Sequence, residues 1–371
     1  MRKLLCALIV MIGLTAAPAA AEEIATSAKA CVVIDADTGR VLLHHNADAP
    51  LPMASTTKIM TALVALENAS LEETVTAGRN AFGVPGTSIY LDLGESLTME
   101  QMLYGLMLAS GNDAAVAIAE HVAGSVDAFC SMMTARAEEI GCENTVFMTP
   151  HGLPNIHHHT TAFDMALIAR EAMQNPTFRT IVSTQKMQIP WQGHDYDRVL
   201  TNKNKLLSTY EGATGIKTGY TNKAGRCLAF SAQRNGMELI GVVLNCPDWF
   251  DRAAAIMDEA FEKYEWVTLY NAGERVAEVE IIDGAIGAVG ICALNRVGAS
   301  VVKGTTPTPV LDLPDKMHAG IRAGDRVGTV TVYDGDRAVH SVALIAMEDA
   351  PEGRFRHRLW RVVQGWEIQA P

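Results

Sequence analysis

Four consecutive residues, Ser55-Thr56-Thr57-Lys58, place a hydroxyl and an amine three positions apart. Apolar residues follow at helical spacing, Ile59, Met60, Leu63, Val64 and Leu66, so a buried helix is expected to begin near Ser55. Residues three apart share a helix face. The Lys58 amine then comes within reach of the Ser55 hydroxyl and can act as its base. The helix N-terminus adds unpaired N–H groups and positive potential beside the nucleophile. Such a pair also occurs by chance in helices, and two downstream segments decide how it is read.

Ser110-Gly111-Asn112 lies between two helical patterns. The first, Thr98 to Leu108, opens with a capping box of Thr98 and Gln101 and carries Met102, Leu103, Leu106 and Met107 on one side. The second continues through Ala115, Ile118, Ala119 and Val122. A Ser and an Asn on a short loop can both point into a cleft; the competing reading makes Asn112 a helix cap. Further on, Lys217-Thr218-Gly219 precedes two strand patterns, Cys227 to Gln233 and Met237 to Leu244, with Arg234-Asn235-Gly236 as their hairpin turn. Lys217 then stands on a strand beside that hairpin, and Gly219 omits a side chain where a ligand backbone could approach. A lysine on an exposed edge strand is the plain alternative.

Ser-x-x-Lys, Ser-x-Asn and Lys-Thr-Gly in that order resemble the motif set of the penicillin-interacting serine enzymes. Within that group the chain is most similar to the D-alanyl-D-alanine carboxypeptidases, the low-molecular-mass penicillin-binding proteins. Ser110 to Ala115, His151-Gly152-Leu153, Asn202 to Leu207 and Gly215 to Gly225 strengthen the resemblance, which runs from about Ala30 to Tyr264. It implies a mixed α+β or α/β fold of the β-lactamase/transpeptidase type: an antiparallel sheet built from both ends of the domain, with a helical cluster inserted.

The resemblance also implies acyl transfer on peptidoglycan stem peptides ending in D-Ala-D-Ala. Ser55 is the nucleophile, Lys58 its base, and Ser110 relays a proton. Asn112, Lys217, Thr218, Gly219 and Tyr220 bind substrate, the last through its backbone N–H. The Lys58 pKa must fall from about 10.4, through burial and a nearby cation such as Lys217. β-Lactams are expected as covalent inhibitors; no cofactor and no metal are called for. Tyr220 stands where some relatives carry His, so its side chain receives no role. No counterpart of the glutamate-bearing loop of class A β-lactamases is evident. A D,D-endopeptidase is the nearest alternative. A catalytically silent envelope-binding protein is a second, and the intact motifs argue against it.

The rest of the chain supplies an address and a support. Residues 1–21 read as a secretory signal peptide, with Arg2 and Lys3, an apolar run from Leu4 to Leu14, and Ala19-Ala20-Ala21 as the cleavage site. This places the protein outside the cytoplasm, at the outer membrane face, the periplasm or the cell-wall space. Residues 22–270 are assigned to the peptidase domain. Residues 271–350 alternate apolar segments with Gly, Pro and Asp turns and read as a small all-β domain. In residues 351–371, Phe355, Leu359, Val362 and Trp366 share one helical face while Arg354, Arg356, Arg358 and Arg361 lie off it, a pattern suited to a membrane surface.

A formal net charge of −12 argues against a nucleic-acid binder. Six cysteines follow the leader at irregular spacing and are expected as buried free thiols rather than disulfides. His157-His158-His159 is expected as a solvated loop rather than a metal site.

Overall fold

The protein's structure, a computed structural model, describes residues 21–353. The expected leader, apart from Ala21, and the tail from Arg354 onward lie outside these residues. The chain divides into two compact units between Glu265 and Trp266.

The first unit opens with β1 (Glu22–Glu23), β2 (Ala30–Asp35) and β3 (Val41–His45). The β2–β3 hairpin turns at Gly39, whose φ of 73° suits a glycine. Then come α1 (Lys58–Asn68), the paired strands β4 (Thr74–Thr76) and β5 (Ser96–Thr98), α2 (Met99–Tyr104), α3 (Asn112–Ala123), α4 (Val126–Ile140), α5 (Ala162–Gln174) and α6 (Pro176–Ser183). A second ribbon, β6 (Lys186–Ile189) and β7 (Arg198–Thr201), leads through α7 (Leu206–Thr209) to β8 (Ala213–Thr221), β9 (Gly225–Arg234) and β10 (Met237–Leu244). Helix α8 (Trp249–Lys263) closes the unit.

The main sheet runs β1-β3-β2-β10-β9-β8, so strands from both ends of the unit meet at the β2–β10 pair, with Val32 opposite Val242. Every pair is antiparallel except β1 with β3. All residues of β2 and β10 are buried, which requires cover on both sheet faces. Helices α5 and α8 both pack on these strands. Ile34, Ile240 and Val242 join Met60, Leu63 and Ile168 in one core. The β9–β10 turn is Asn235-Gly236, with φ of 49° and 80°, as a two-residue primed turn demands. The capping box at Thr98 is formed, Thr98 and Gln101 each bonding the other's backbone.

Three local features depart from expectation. Helix α6, which is not expected as a separate helix, follows α5 after a one-residue break at Asn175, which caps it, with Pro176 in its first turn. The ribbons β4–β5 and β6–β7 are too short to carry a period-two signal. Helix α8 buries Ala253, Ile256, Met257 and Ala260; of the face expected through Ala254, Met257, Phe261 and Tyr264, Met257 and Tyr264 are buried and Ala254 and Phe261 half-buried. The six described cysteines are buried and free.

The second unit is all β. Strand β11 (Tyr264–Tyr270) begins at the division and pairs with β14 (Val297–Val302). The others, β12 (Arg275–Ile282), β13 (Ala288–Ala293), β15 (Thr308–Asp312), β16 (Lys316–His318), β17 (Arg326–Asp334) and β18 (Arg337–Ala346), form a sheet in the order β15-β17-β18-β13-β12-β16. Val279, Ile281, Ile291, Val330, Val332 and Leu344 fill its core. The expected strand segments 278–282, 285–294, 299–302, 327–333 and 338–345 fall on β12, β13, β14, β17 and β18, whereas β11, β15 and β16 were not expected; β15 is exposed along most of its length and so lacks alternation.

Candidate active site

Ser55 lies in a 3-10 turn, Ala54–Thr57, and α1 starts only at Lys58. At three residues per turn, positions i and i+3 eclipse, so the spacing still aligns the two side chains. Lys58 Nζ is 3.0 Å from Ser55 Oγ, 2.8 Å from Asn112 Oδ1 and 2.7 Å from the His151 carbonyl. Carbonyl oxygens only accept. A neutral amine therefore uses its two hydrogens on Asn112 and His151 and turns its lone pair to the Ser55 hydroxyl. Lys58 is fully buried. Burial above all, then the charges of Lys217 and Lys203, hold its pKa well below the usual lysine value, against the opposing pull of Asp113.

The backbone just before Ser55 is unusual. Ala54 has φ of 47°, a left-handed conformation that alanine seldom takes. Its carbonyl accepts the Thr57 hydroxyl at 2.8 Å. That carbonyl sits against Gly152, where an added Cβ would lie 1.8 Å from the Ala54 oxygen. The His151-Gly152 pair thus serves the site twice, through one carbonyl and one missing side chain.

The histidine run is not a solvated loop throughout. His158 is 4 % exposed, His159 is half-buried, and His157 is exposed. His158 Nδ1 accepts from the Met148 N–H at 3.0 Å, and Nε2 lies 2.8 Å from Thr57 Oγ1. Burial, and to a lesser degree His159, pushes its pKa down to about 4. Adjacent loop histidines point in different directions, and this one points at the nucleophile turn. Among the described residues no cluster of three or more His, Cys, Asp or Glu side chains could hold a metal ion.

Ser110 caps a five-residue π turn, Gly105–Ala109, in a left-handed conformation with φ of 66°. Its carbonyl accepts from Thr87 Oγ1 at 2.7 Å. Among the described residues its hydroxyl bonds to neither Ser55 nor Lys58; it lines a cavity of about 950 Å³ together with Ser55, Thr218, Gly219 and Tyr220. Asn112 is the first residue of α3 and not its cap. Its Oδ1 accepts a hydrogen bond from Lys58 Nζ and its Nδ2 donates to Pro85 O at 2.7 Å. Buried Asp113 gathers Ser88 Oγ and the N–H groups of Ile89 and Leu91, which fixes the loop carrying Thr87 to the cavity wall.

Lys217, Thr218, Gly219 and Tyr220 lie on β8, the outer strand of the sheet. Lys217 is buried with Nζ donating to Thr218 O at 3.0 Å. Burial, then Lys203, lowers its pKa to about 7. A Cβ at Gly219 would lie 2.8 Å from Ser55 N, so the strand backbone and the nucleophile turn approach as closely as glycine allows. Tyr220 is 60 % exposed, its hydroxyl bonded to Asn222 at 3.0 Å. Lys58 thus joins Ser55 to Asn112, and Ser55, Ser110, Thr218, Gly219 and Tyr220 line one cavity, whereas buried Lys58, Asn112 and Lys217 do not line it. The stretches holding His151 and Lys203 carried the resemblance, but the contacts of the His151 carbonyl and His158 and the influence of Lys203 on Lys58 were not anticipated. No spacing rule connects residues a hundred positions apart to the nucleophile, and a backbone carbonyl carries no sequence signal.

Residues 15–248 match the family model described as D-alanyl-D-alanine carboxypeptidase. The chain belongs to that family. Residues 264–352 match the model described as the C-terminal domain of penicillin-binding protein 5. The D-alanyl-D-alanine carboxypeptidase DacF of Bacillus subtilis is 32% identical over 386 residues, covering 99% of each chain. DacC of Escherichia coli is 31% identical over 376 residues, 94% of this chain and 90% of the relative. Among solved structures, penicillin binding protein 5 from Haemophilus influenzae is 27% identical with a TM-score of 0.72, covering 89% of this chain and 99% of that one. A mutant DD-transpeptidase of Streptomyces K15 is 34% identical with a TM-score of 0.61, covering 64% and 99%. The family is that of the serine-type D-Ala-D-Ala carboxypeptidases, peptidase hydrolases of the penicillin-binding class.

Proposed function

We propose that this carboxypeptidase removes the terminal D-alanine through a Ser55 acyl-enzyme. The observation that carries the reading is the Lys58 amine, with two carbonyl acceptors on one side and the Ser55 hydroxyl on the other. Ser55 Oγ attacks the carbonyl between the last two D-alanines as its proton passes to neutral Lys58. The N–H groups of Ser55 and Tyr220 stabilise the oxyanion. As the tetrahedral intermediate collapses, the proton returns from Lys58 through Ser110 to the departing D-alanine nitrogen. Asn112 holds the substrate amide, and Lys217 with Thr218 holds the terminal carboxylate, whose charge favours protonated Lys217. Gly219 keeps β8 open to that backbone. Water then hydrolyses the ester, with Lys58 accepting its proton. A β-lactam amide enters the same first step and stays as a covalent adduct.

The test is D-alanine release from a soluble peptide ending in D-Ala-D-Ala, with Ser55→Ala as the blank. Release by the wild type alone supports the reading. No release from folded wild-type protein overturns it.

The same reading extends to location. The composition of residues 1–21 supports export, and the Arg354–Trp366 pattern supports weak, salt-sensitive attachment to an anionic membrane surface. Co-sedimentation with anionic vesicles at low salt, lost on truncation after Gly353, is the expected result.

A further inference from the structure

The peptide group joining Ala54 to Ser55 is planar, so the direction of the Ala54 carbonyl fixes the direction of the Ser55 N–H. That N–H is the oxyanion donor in the reading above, on which this inference rests. Whatever holds the Ala54 oxygen therefore aims the donor. The Thr57 hydroxyl holds it, at 2.8 Å. A hydroxyl can rotate, and something must direct its hydrogen toward Ala54.

His158 does so. The Met148 N–H can only donate, and it points at His158 Nδ1 from 3.0 Å. Nδ1 must then be the bare nitrogen, and the ring hydrogen sits on Nε2. Nε2–H donates to Thr57 Oγ1 across 2.8 Å. With Oγ1 already receiving a hydrogen, its own is sent to the Ala54 carbonyl. The chain runs Met148 N–H to His158, His158 to Thr57, Thr57 to Ala54 O, and every member is buried or part-buried. The edge of the Phe147 ring system packs against the imidazole, with centroids 5.9 Å apart and planes at 68°, which limits ring motion.

We propose that His158 is a positioning residue for catalysis: as a neutral, Nε2-protonated imidazole it orients Thr57 and, through the Ala54–Ser55 peptide, the oxyanion-stabilising N–H. It touches neither substrate nor nucleophile. A positioning role predicts that its loss is read on kcat rather than on KM.

The test compares D-alanine release by full-length wild type, His158→Ala, His158→Gln, Thr57→Val and the double variant His158→Ala/Thr57→Val. Removing an oxyanion donor outright costs about 100- to 1,000-fold in kcat; misaiming one should cost roughly 10- to 100-fold, with KM changed less than about threefold. His158→Gln can accept from Met148 with its carbonyl and donate to Thr57 with its amide, and should recover most of the rate. Because the two side chains act in one chain, the double variant should be little slower than Thr57→Val alone. Wild-type kcat in folded His158→Ala, or losses that multiply in the double variant, would overturn the proposal. Should His158→Ala fail to fold, the comparison of Thr57→Val with Thr57→Ser decides, since only serine keeps the hydroxyl. A wild type that releases no D-alanine, or a Ser55→Ala variant that does, would instead strike the underlying reading.

Discussion

Replacing Gly219 by alanine should slow acylation without unfolding the protein. Its φ is not in the left-handed region, so alanine is conformationally permitted there. The new Cβ would lie 2.8 Å from Ser55 N and 3.1 Å from both Thr56 N and the Ala54 Cβ. Relaxing the first contact to an ordinary separation of about 3.4 Å needs a shift of roughly 0.6 Å. The atoms in the way are mostly backbone and cannot rotate aside, so the nucleophile turn and β8 must part. A 1 Å misplacement at a reacting centre costs about 100-fold, so a fall of about 10- to 100-fold in kcat/KM is expected, ~1.4–2.7 kcal/mol of transition-state stabilisation. Overpacking costs about 1–3 kcal/mol of stability and the stiffer unfolded chain returns up to ~1. The variant should remain folded. D-alanine release and the second-order rate of penicillin acylation both read the effect. Gly287→Ala, whose added Cβ meets nothing within 4 Å, is the matched control. Wild-type rates in folded Gly219→Ala would refute the claim that this approach is tight.

Three further outcomes are expected. Lys217→Gln removes one of the charges that depress the Lys58 pKa, so that pKa rises and the acid limb of the kcat/KM profile moves to higher pH; an unmoved limb would separate the two amines electrostatically. Between about pH 6.5 and about 4 the unfolded chain protonates His158 more readily than the fold does, so stability should decline by up to ~3 kcal/mol as pH falls through that window. Urea titrations at both ends, with His158→Gln showing a smaller decline, check this; equal declines would count against it. The Arg198–Glu95 pair is bidentate at 2.9 and 3.0 Å, with side chains 5% and 1% exposed. Glu95→Gln should cost about 3–5 kcal/mol by stranding a buried guanidinium, whereas Glu95→Leu with Arg198→Met should restore most of it; a double variant no better than the single would contradict the desolvation argument.

What could be read in the sequence divides along a physical line. The Ser55/Lys58 pair, the Thr98 capping box and the Asn235-Gly236 turn are local, and their geometry follows from spacing or from a residue's own φ preference. The sheet's two-ended assembly was legible through resemblance, because β2 and β10 lie two hundred residues apart and nothing in either pattern names its partner. Ser110 and Asn112 were placed by their motif, yet Asn112's partner is a lysine 54 residues upstream, which only the packing of α1 against α3 supplies. His158 marks where reading by composition fails. Three adjacent histidines look polar and exposed, and the outer two partly are, but the loop turns the middle ring inward beneath Ser55. Its ring is held by one donor at Met148, ten residues upstream, and one acceptor at Thr57, in a segment a hundred residues away. Ser55 is thus announced by its neighbours in sequence, whereas the aim of its N–H depends on contacts made only in three dimensions: the missing Cβ of Gly152, the Thr57 hydroxyl and the tautomer of one imidazole.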